Sequence, residues 1–167
     1  MAITNEEIIS FIETNLGSVF EVQHDHYGVL TAEVPVHQLY KLVNFLYKDL
    51  TYKFNNLVDL CGVHYPDNKG KEIGAVYHIQ SMKHRILIRL KAFAPIEKPE
   101  LPSLTGIYAS ANWMERETYD FYGIQFLGHP NLKRILNMDE MTDFPMRKEF
   151  PLEDPYRQDK SDFHFGR

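Results

Sequence analysis

Two consecutive stretches decide the fold of this chain: EIGAVYHIQS (residues 72–81) and HRILIRLKAF (residues 84–93). In the second stretch, Arg85, Leu87 and Arg89 alternate with Ile86, Ile88 and Leu90. This alternation is typical of a strand with one solvent-facing side and one buried side. A third run, NLVDLCGVHY (residues 56–65), is joined to the first by the polar link PDNKGK (residues 66–71), whose composition favours a hairpin. Together these residues predict a mostly antiparallel sheet.

The residues before this sheet predict two helices and two short strands. Thr4 is a candidate N-cap for a first helix, which Gly17 ends. Short strands are predicted over residues 19–23 and 27–34. The order α-β-β-α-β-β-β predicts an α+β domain over residues 1–94, with a mostly antiparallel sheet and helices on one side. The second helix should bury a stripe at helical spacing, namely Leu39, Leu42, Val43, Leu46 and Leu50.

The character of the chain changes after residue 94. Three prolines within eight residues end the sheet. Residues 95–136 then predict a helical segment of two short helices, with Ser103 and Asn112 as caps. Residues 137–167 have little periodicity but several singly spaced apolar and aromatic side chains. They predict a long, extended C-terminal arm that buries these side chains on partner subunits.

Composition excludes several classes of protein. A net charge of −5, without a polybasic run, argues against nucleic-acid binding. With one cysteine, Cys61, the chain cannot form an internal disulfide or a four-cysteine cluster site by itself. We expect this thiol to be buried in an apolar strand. We also expect neither a secretory signal nor a membrane span, and a separate chain rather than a fusion.

The chain lacks the common cofactor and catalytic fingerprints. It contains neither the dinucleotide-binding nor the P-loop glycine pattern, and neither the zinc-protease nor the serine-hydrolase motif. His24 and His26 could bind a metal from a surface turn, and His64, His78 and His84 could converge from different strands. In both sets, structural histidines are the more ordinary interpretation.

Residues 113–136 are the most chemically crowded part of the sequence. On a helix, Arg116 and Asp120 form an i,i+4 pair. Glu115 and Glu117 point in diverging directions, so they cannot flank one substrate as a catalytic pair would. The aromatic neighbours would desolvate these charges, and buried charges persist only when they are paired. We therefore predict an ordered network in which acids surround Arg116.

The stretch ERETYDFYGIQFLGHPNLKRIL (residues 115–136) resembles the signature of the 30-kDa-type subunit (the C subunit) of respiratory complex I. The resemblance continues upstream in PSLTGIYASANW (residues 102–113) and downstream in RKEFPL (residues 147–152). Three features depart from the family pattern. Lys133 replaces an arginine, Asp143 and Phe144 stand where a Gly-His pair is common, and the last fifteen residues differ from a typical tail.

The resemblance implies a structural subunit in the peripheral arm of the proton-pumping NADH:quinone oxidoreductase, on the cytoplasmic face of the membrane. Such a subunit binds no cofactor, although the complex uses FMN, iron–sulfur clusters, NADH and quinone. Its implied partners are the quinone-site D subunit and the cluster-bearing B and I subunits. The signature residues are then a structural hub: Glu115, Arg116, Glu117, Asp120, Gly123, Gly128, His129, Pro130, Lys133 and Arg134. The tail-docking residues are Arg147, Lys148, Phe150, Pro151 and Leu152.

Two other functions fit the sequence. The homologous subunit of a membrane-bound hydrogenase or a ferredoxin-linked complex would carry a similar module. A free-standing metal-dependent hydrolase could instead use His129 with Glu115 or Glu117.

Overall fold

A computed structural model describes residues 3–23 and 27–150 of the chain. His24 and His26, the arm beyond residue 150, and Pro151 and Leu152 within it lie outside the described residues. Within them, no helix combines the length and apolar character needed to cross a membrane. The elements are α1 (Asn5–Leu16), β1 (Glu21–Gln23), β2 (Leu30–Glu33), α2 (Val36–Lys48), β3 (Asn56–His64), β4 (Ile73–Ser81), β5 (Ile86–Ala94), β6 (Glu100–Pro102), α3 (Ala111–Tyr122) and β7 (Gln125–Leu127).

A five-stranded sheet in the order β1-β2-β5-β4-β3 forms the centre of the fold. The long strands β3, β4 and β5 pair antiparallel, with Tyr77 opposite both Leu60 and Leu90. These three side chains are buried on one face. On the other face His78 lies opposite Asp59 and Arg89, which are more exposed. The three predicted strands are present, the alternation in the last of them predicted its buried face, and the α+β class is confirmed.

One strand pair in this sheet is parallel. β2 lies beside β5, with Leu30 opposite Ile88, although α2, β3 and β4 intervene in the chain between the two strands. β1 pairs antiparallel with β2 as the short hairpin that the sequence predicted. The sheet is thus mostly antiparallel, as expected, with its N-terminal hairpin attached through a parallel contact.

The two N-terminal helices bury apolar stripes against the sheet. Thr4 caps α1 by accepting a hydrogen bond from the Glu7 N–H, and Gly17 ends the helix. α2 buries Leu39, Leu42, Val43 and Leu46, as its spacing predicted. Leu50 was wrongly included in this stripe. The helix ends at Lys48, so Leu50 falls in the following turn and is 80% exposed.

The region after residue 94 differs from the sequence prediction. One helix forms instead of two, and its N-cap residue is Ser110 rather than Asn112. Ser103 caps no helix, because the next helix begins only at Ala111; its hydroxyl donates to Glu115 and accepts from the Thr105 N–H. Two three-residue strands, β6 and β7, pair in parallel and place the residues before and after α3 side by side. Neither strand is long enough to show an alternating pattern.

The prediction of a buried cysteine was also wrong. Cys61 is exposed. Its strand, β3, lies at the edge of the sheet, and the register with β4 shifts between Leu57 and Asp59. Cys61 pairs with Val76, on the face of the sheet opposite the core residue Tyr77. An apolar run on an edge strand can therefore expose its alternate side chains.

Candidate functional site

Asp120 is the centre of the crowded segment. Its carboxylate is fully buried and accepts hydrogen bonds from the N–H groups of Ile135, Leu136 and Asn137 at 2.8–3.0 Å. The Asn137 side-chain amide and Arg134 Nη1 donate to the other oxygen. Burial alone would raise the pKa of Asp120, but these hydrogen bonds outweigh it and hold the pKa well below its usual range. The carboxylate thus fixes a turn of chain onto α3.

Arg134 is the cation of this site. Its side chain is 6% exposed, and Nη1 donates to the carboxylate and the main-chain carbonyl of Asp120 at 2.7 and 2.8 Å. Nη2 donates to the carbonyls of Met141 and Asp143, and the guanidinium lies over the Phe144 ring at 5.0 Å. One planar side chain therefore joins α3 to two later points of the chain. We call Asp120, Arg134 and Asn137 the Asp120–Arg134 cluster.

Arg116 does not have the partners that the sequence predicted. Its guanidinium donates to the carbonyls of Lys133 and Arg134 and lies over the Trp113 ring. Asp120 pairs with Arg134 instead, so the prediction of a network of acids around Arg116 is wrong. The local i,i+4 pair does not form, because the chain folds back along α3 and brings a better placed arginine to the carboxylate. Arg116 still contributes, by holding the same returning segment through its main chain.

Glu115 is the second buried acid of α3, and its surroundings differ from those of Asp120. Its oxygens accept hydrogen bonds from the Ser103 hydroxyl at 2.7 Å and the Leu104 N–H at 2.6 Å. Burial without a bound cation raises the pKa of Glu115 to about 7 despite these two bonds. The buried Tyr77 hydroxyl, which has no hydrogen-bond partner among the described residues, interacts electrostatically with it. Glu115 therefore ties the segment between β6 and α3 to the helix.

Glu117 and Lys133 are exposed and take no part in the Asp120–Arg134 cluster through their side chains. Glu117 instead lines a cleft beside β3. Lys133 contributes its main-chain carbonyl to Arg116. The structure therefore separates these two predicted hub residues from the buried part of the site.

His129 has a structural position. Its Nε2 bonds the Asn112 carbonyl at 3.1 Å, and its Nδ1 accepts from the Asn131 N–H at 3.0 Å. Neither nitrogen is left for a metal, and Pro130 and the left-handed Gly128 form the turn around it. Across residues 3–23 and 27–150, no three His, Cys, Asp or Glu side chains gather as metal ligands would. His129 therefore ties the turn after β7 to the start of α3 through main-chain groups.

The end of α3 receives the described part of the predicted docking segment. Gly123 ends the helix with φ at 76°, and a Cβ there would lie 2.6 Å from the Phe144 ring. Arg147 Nε donates to the Tyr122 carbonyl, and the Lys148 N–H donates to His64 Nδ1 at 3.0 Å. Phe150 is exposed. Residues 144–150 therefore follow the end of α3 onto the end of β3.

Sequence reasoning missed several residues of this site. Ser103 and Asn137 complete the bonding of the two buried acids, and the Tyr108 hydroxyl donates to the Phe54 carbonyl at 2.7 Å. Tyr108 lies within the stretch that carried the family resemblance, which was the one signal pointing to it. Nothing in the spacing of Ser103 or Asn137 indicates a carboxylate partner on α3.

The comparisons with known proteins agree with this architecture. Residues 32–156 match the family described as respiratory-chain NADH dehydrogenase, 30 Kd subunit. The chain belongs to this family. The NADH-quinone oxidoreductase C subunit of Streptomyces coelicolor is 44% identical over 125 residues, which are 75% of this chain and 50% of that protein. The chain spans about half the length of such curated relatives. The resemblance seen in the signature is thereby confirmed.

Two solved structures share the fold of this family member. A trypsin-resistant fragment (1-134) of Nqo5 is 28% identical, with a TM-score of 0.65, and the match covers 75% of this chain and 98% of the fragment. A chain in the membrane-bound sulfane sulfur reductase, an archaeal respiratory membrane complex, is 23% identical. Its TM-score is 0.74, over 93% of this chain and 96% of that one, and it shows the common fold.

The chemistry of the site suits a member of this family. The two fully buried carboxyls of α3 are both occupied by donors of the same chain, Glu115 by the segment before the helix and Asp120 by the segment after it. What they do is order the two segments that flank α3.

Proposed function

We propose that the chain is a subunit of NADH–quinone oxidoreductase that supports the quinone-site region and binds no cofactor itself. The support for the activity is the 44% identity with a protein named as the C subunit of that enzyme. The absence of a cofactor is supported by the single cysteine, which is too few for a cluster held by this chain alone. FMN, the iron–sulfur clusters, NADH and quinone would then belong to other subunits.

The main observation in support of this function is the set of hydrogen bonds between the Asp120–Arg134 cluster and the segment that follows β7. The cluster fixes residues 133–143 along α3 and leaves Leu136 and Met138 64% and 73% exposed. Trp113 on the same helix is 63% exposed beside Arg116. An ordered segment with large apolar side chains facing outward suits binding to a partner. The cluster thus holds in place a docking surface that includes Trp113, Leu136 and Met138.

We assign this docking surface to the peripheral arm on the cytoplasmic face of the membrane. The D subunit, which frames the quinone site, and the cluster-bearing B and I subunits are the proposed neighbours. The exposed Trp113, Leu136 and Met138 side chains would be covered by them in the complex. The chain then contributes to proton-coupled electron transfer by positioning its neighbours.

Purification of the tagged chain from membranes of its own host, in mild detergent, tests this function. Mass spectrometry should find the cluster-bearing subunits and the NADH-oxidising subunit with it. Recovery with hydrogenase subunits and no NADH-oxidising subunit would assign the chain to that related complex. A chain recovered alone would refute a role in a multisubunit complex.

A further inference from the structure

The outer edge of strand β3 is hydrogen-bonded by other described parts of the chain near its two ends but not between them. Near its start the Ser110 hydroxyl donates to the Leu57 carbonyl at 3.4 Å, and at its end Lys148 bonds the side chain of His64. Between these points, no described group outside the ladder with β4 bonds the main chain of residues 58–63. An uncovered strand edge presents N–H and C=O groups that an extended peptide can pair with.

A cleft of about 240 Å³ lies along this uncovered edge, between β3 and α3. Its volume is that of roughly eight water molecules in the liquid, enough for a long side chain. At its floor the Tyr122 ring covers Gly62, where an added Cβ would meet the ring at 2.3 Å. The cleft therefore has an aromatic floor and an open side. Its lining consists of Asp59, Leu60, Cys61, Gly62, Glu117, Thr118, Phe121, Tyr122 and Met146.

The charges at the cleft are predominantly negative. Asp59 and Glu117 are exposed and face it from β3 and α3. Arg89, two strands away, is the opposing cation, but it donates to His78 Nε2 at 2.8 Å and also contacts Thr31.

Neighbouring groups do not remove this negative charge. His78 Nδ1 lies 3.7 Å from Asp59 Oδ2, but burial and the nearby Arg89 lower the pKa of His78 against the opposing effect of Asp59, so the imidazole is neutral at pH 7 and leaves the charge of Asp59 in place. Arg147 is turned away from the cleft toward the Tyr122 carbonyl and the Phe144 ring. The two carboxylates thus remain available to a cation from outside.

We propose that this cleft receives a lysine or arginine side chain from an extended segment of a neighbouring subunit, whose main chain pairs with the free edge of β3. The basic head would meet Asp59 and Glu117, while its aliphatic stem would lie over the Tyr122 ring. This inference rests on the proposed function, because it requires the chain to be part of a multisubunit complex.

Cys61 offers a direct probe, since it is the one cysteine of the chain and it is exposed in the cleft. The purified full chain and the intact complex are treated with N-ethylmaleimide at pH 8, and labelling of Cys61 is followed by mass spectrometry. We expect labelling in the free chain and loss of labelling in the complex. Burial and the nearby Asp59 raise the pKa of the thiol, so the unfolded chain serves as the reference for the maximum rate.

The variant Asp59→Asn/Glu117→Gln tests the charge requirement. We expect the variant chain to dissociate from its complex about tenfold faster in moderate salt. Because Asp59 and Glu117 also raise the pKa of Cys61, labelling of the variant complex is compared with labelling of the free variant chain. Asp67→Asn/Glu97→Gln removes two exposed carboxylates that do not line the cleft and should behave as the wild type.

The outcomes separate this inference from the proposed function. A chain recovered with its partner subunits but with Cys61 as reactive as in the free chain would overturn the cleft alone. Equal protection in the free chain and the complex would also overturn it, because the chain's own arm would then cover the cleft. Recovery of the chain without any partner would overturn both.

Discussion

At the scale of residues, α3 carries two fully buried carboxyls whose pKa values shift in opposite directions. Asp120 has five donors, of which one is a guanidinium. Glu115 has two neutral donors and no bound cation. The same degree of burial therefore gives a charged group in one case and a group that titrates near neutrality in the other.

Replacing Glu115 with Gln should change how stability depends on pH. The pKa of Glu115 is raised, so the folded state keeps its proton after the unfolded state has lost it. The free energy of unfolding of the wild type should therefore fall by roughly 3 kcal/mol between about pH 4.5 and about pH 7. Gln cannot titrate, so this fall should disappear in urea titrations of Glu115→Gln. Glu117→Gln, an exposed neighbour, should follow the wild type.

Asp120→Asn should be strongly destabilising at neutral pH. It leaves Arg134 buried without its counter-ion, which costs about 3 kcal/mol or more. Because the pKa of Asp120 is depressed, the wild-type advantage is present above about pH 4 and is lost as the pH falls further. Chemical unfolding at several pH values measures this. The exposed Asp139→Asn is the control, and an equal effect there would contradict the role of the cluster.

The residue types at this site were predictable, but their pairing was not. Spacing on one helix made Arg116 the nearest cation to Asp120, since local rules see only positions three or four apart. The actual partner, Arg134, is brought close by the turn after β7. A single sequence gives no measure of how the chain folds back. The density of charge thus pointed to the segment that holds the two buried acids, whereas their partners came from the structure.

At the scale of elements, α3 and β7 are each followed by a left-handed glycine, and the two glycines have different surroundings. A Cβ on Gly123 would meet Phe144 and Arg147, whereas a Cβ on Gly128 would meet nothing within 4 Å. Both positions have positive φ, so an alanine costs backbone strain of about 1 kcal/mol at either one. The difference between the two substitutions therefore reports the contact with residues 144–150.

We expect Gly123→Ala to release this segment and Gly128→Ala to leave it in place. Trypsin cleavage after Arg147 in the folded chain measures the release. Gly123→Ala should be cut faster than Gly128→Ala and should also show the lower free energy of unfolding. Equal cleavage of both variants would mean that Phe144 and Arg147 shift without leaving α3.

The elements differ in how visible they are to sequence reasoning. β4 and β5 have nine residues each, β5 alternates clearly, and the predicted bounds differ from the observed ones by at most two residues. β6 and β7 have three residues each, too few for a period to appear. The parallel contact of β2 with β5 was also hidden, because pairing across a crossover depends on the path of the chain.

At the scale of the whole molecule, the planar guanidinium of Arg134 should determine how much of the proposed multisubunit complex assembles. Lys can supply a charge to Asp120 but cannot also reach the carbonyls of Met141 and Asp143 in the same plane. Arg134→Lys should therefore lower the amount of assembled complex, while turnover per assembled complex stays unchanged. Blue-native gels and NADH oxidation per complex measure the two quantities.

Lys133→Arg is the matched control, because that side chain is exposed beside the same turn. It should assemble as the wild type does. Normal assembly of Arg134→Lys with lost turnover would place the residue in the reaction instead of in the architecture.

The parallel contact between β2 and β5 has a consequence for synthesis on the ribosome. α1 and the hairpin of β1 and β2 are made before β5, and β5, the strand that holds β2 in the sheet, ends only at Ala94. Until then, the nascent chain exposes Leu30 and Ala32 of β2, which the sheet later buries, and this delays folding of the hairpin and favours binding by a chaperone. β2 is therefore synthesised well before β5, the strand that attaches it to the rest of the sheet.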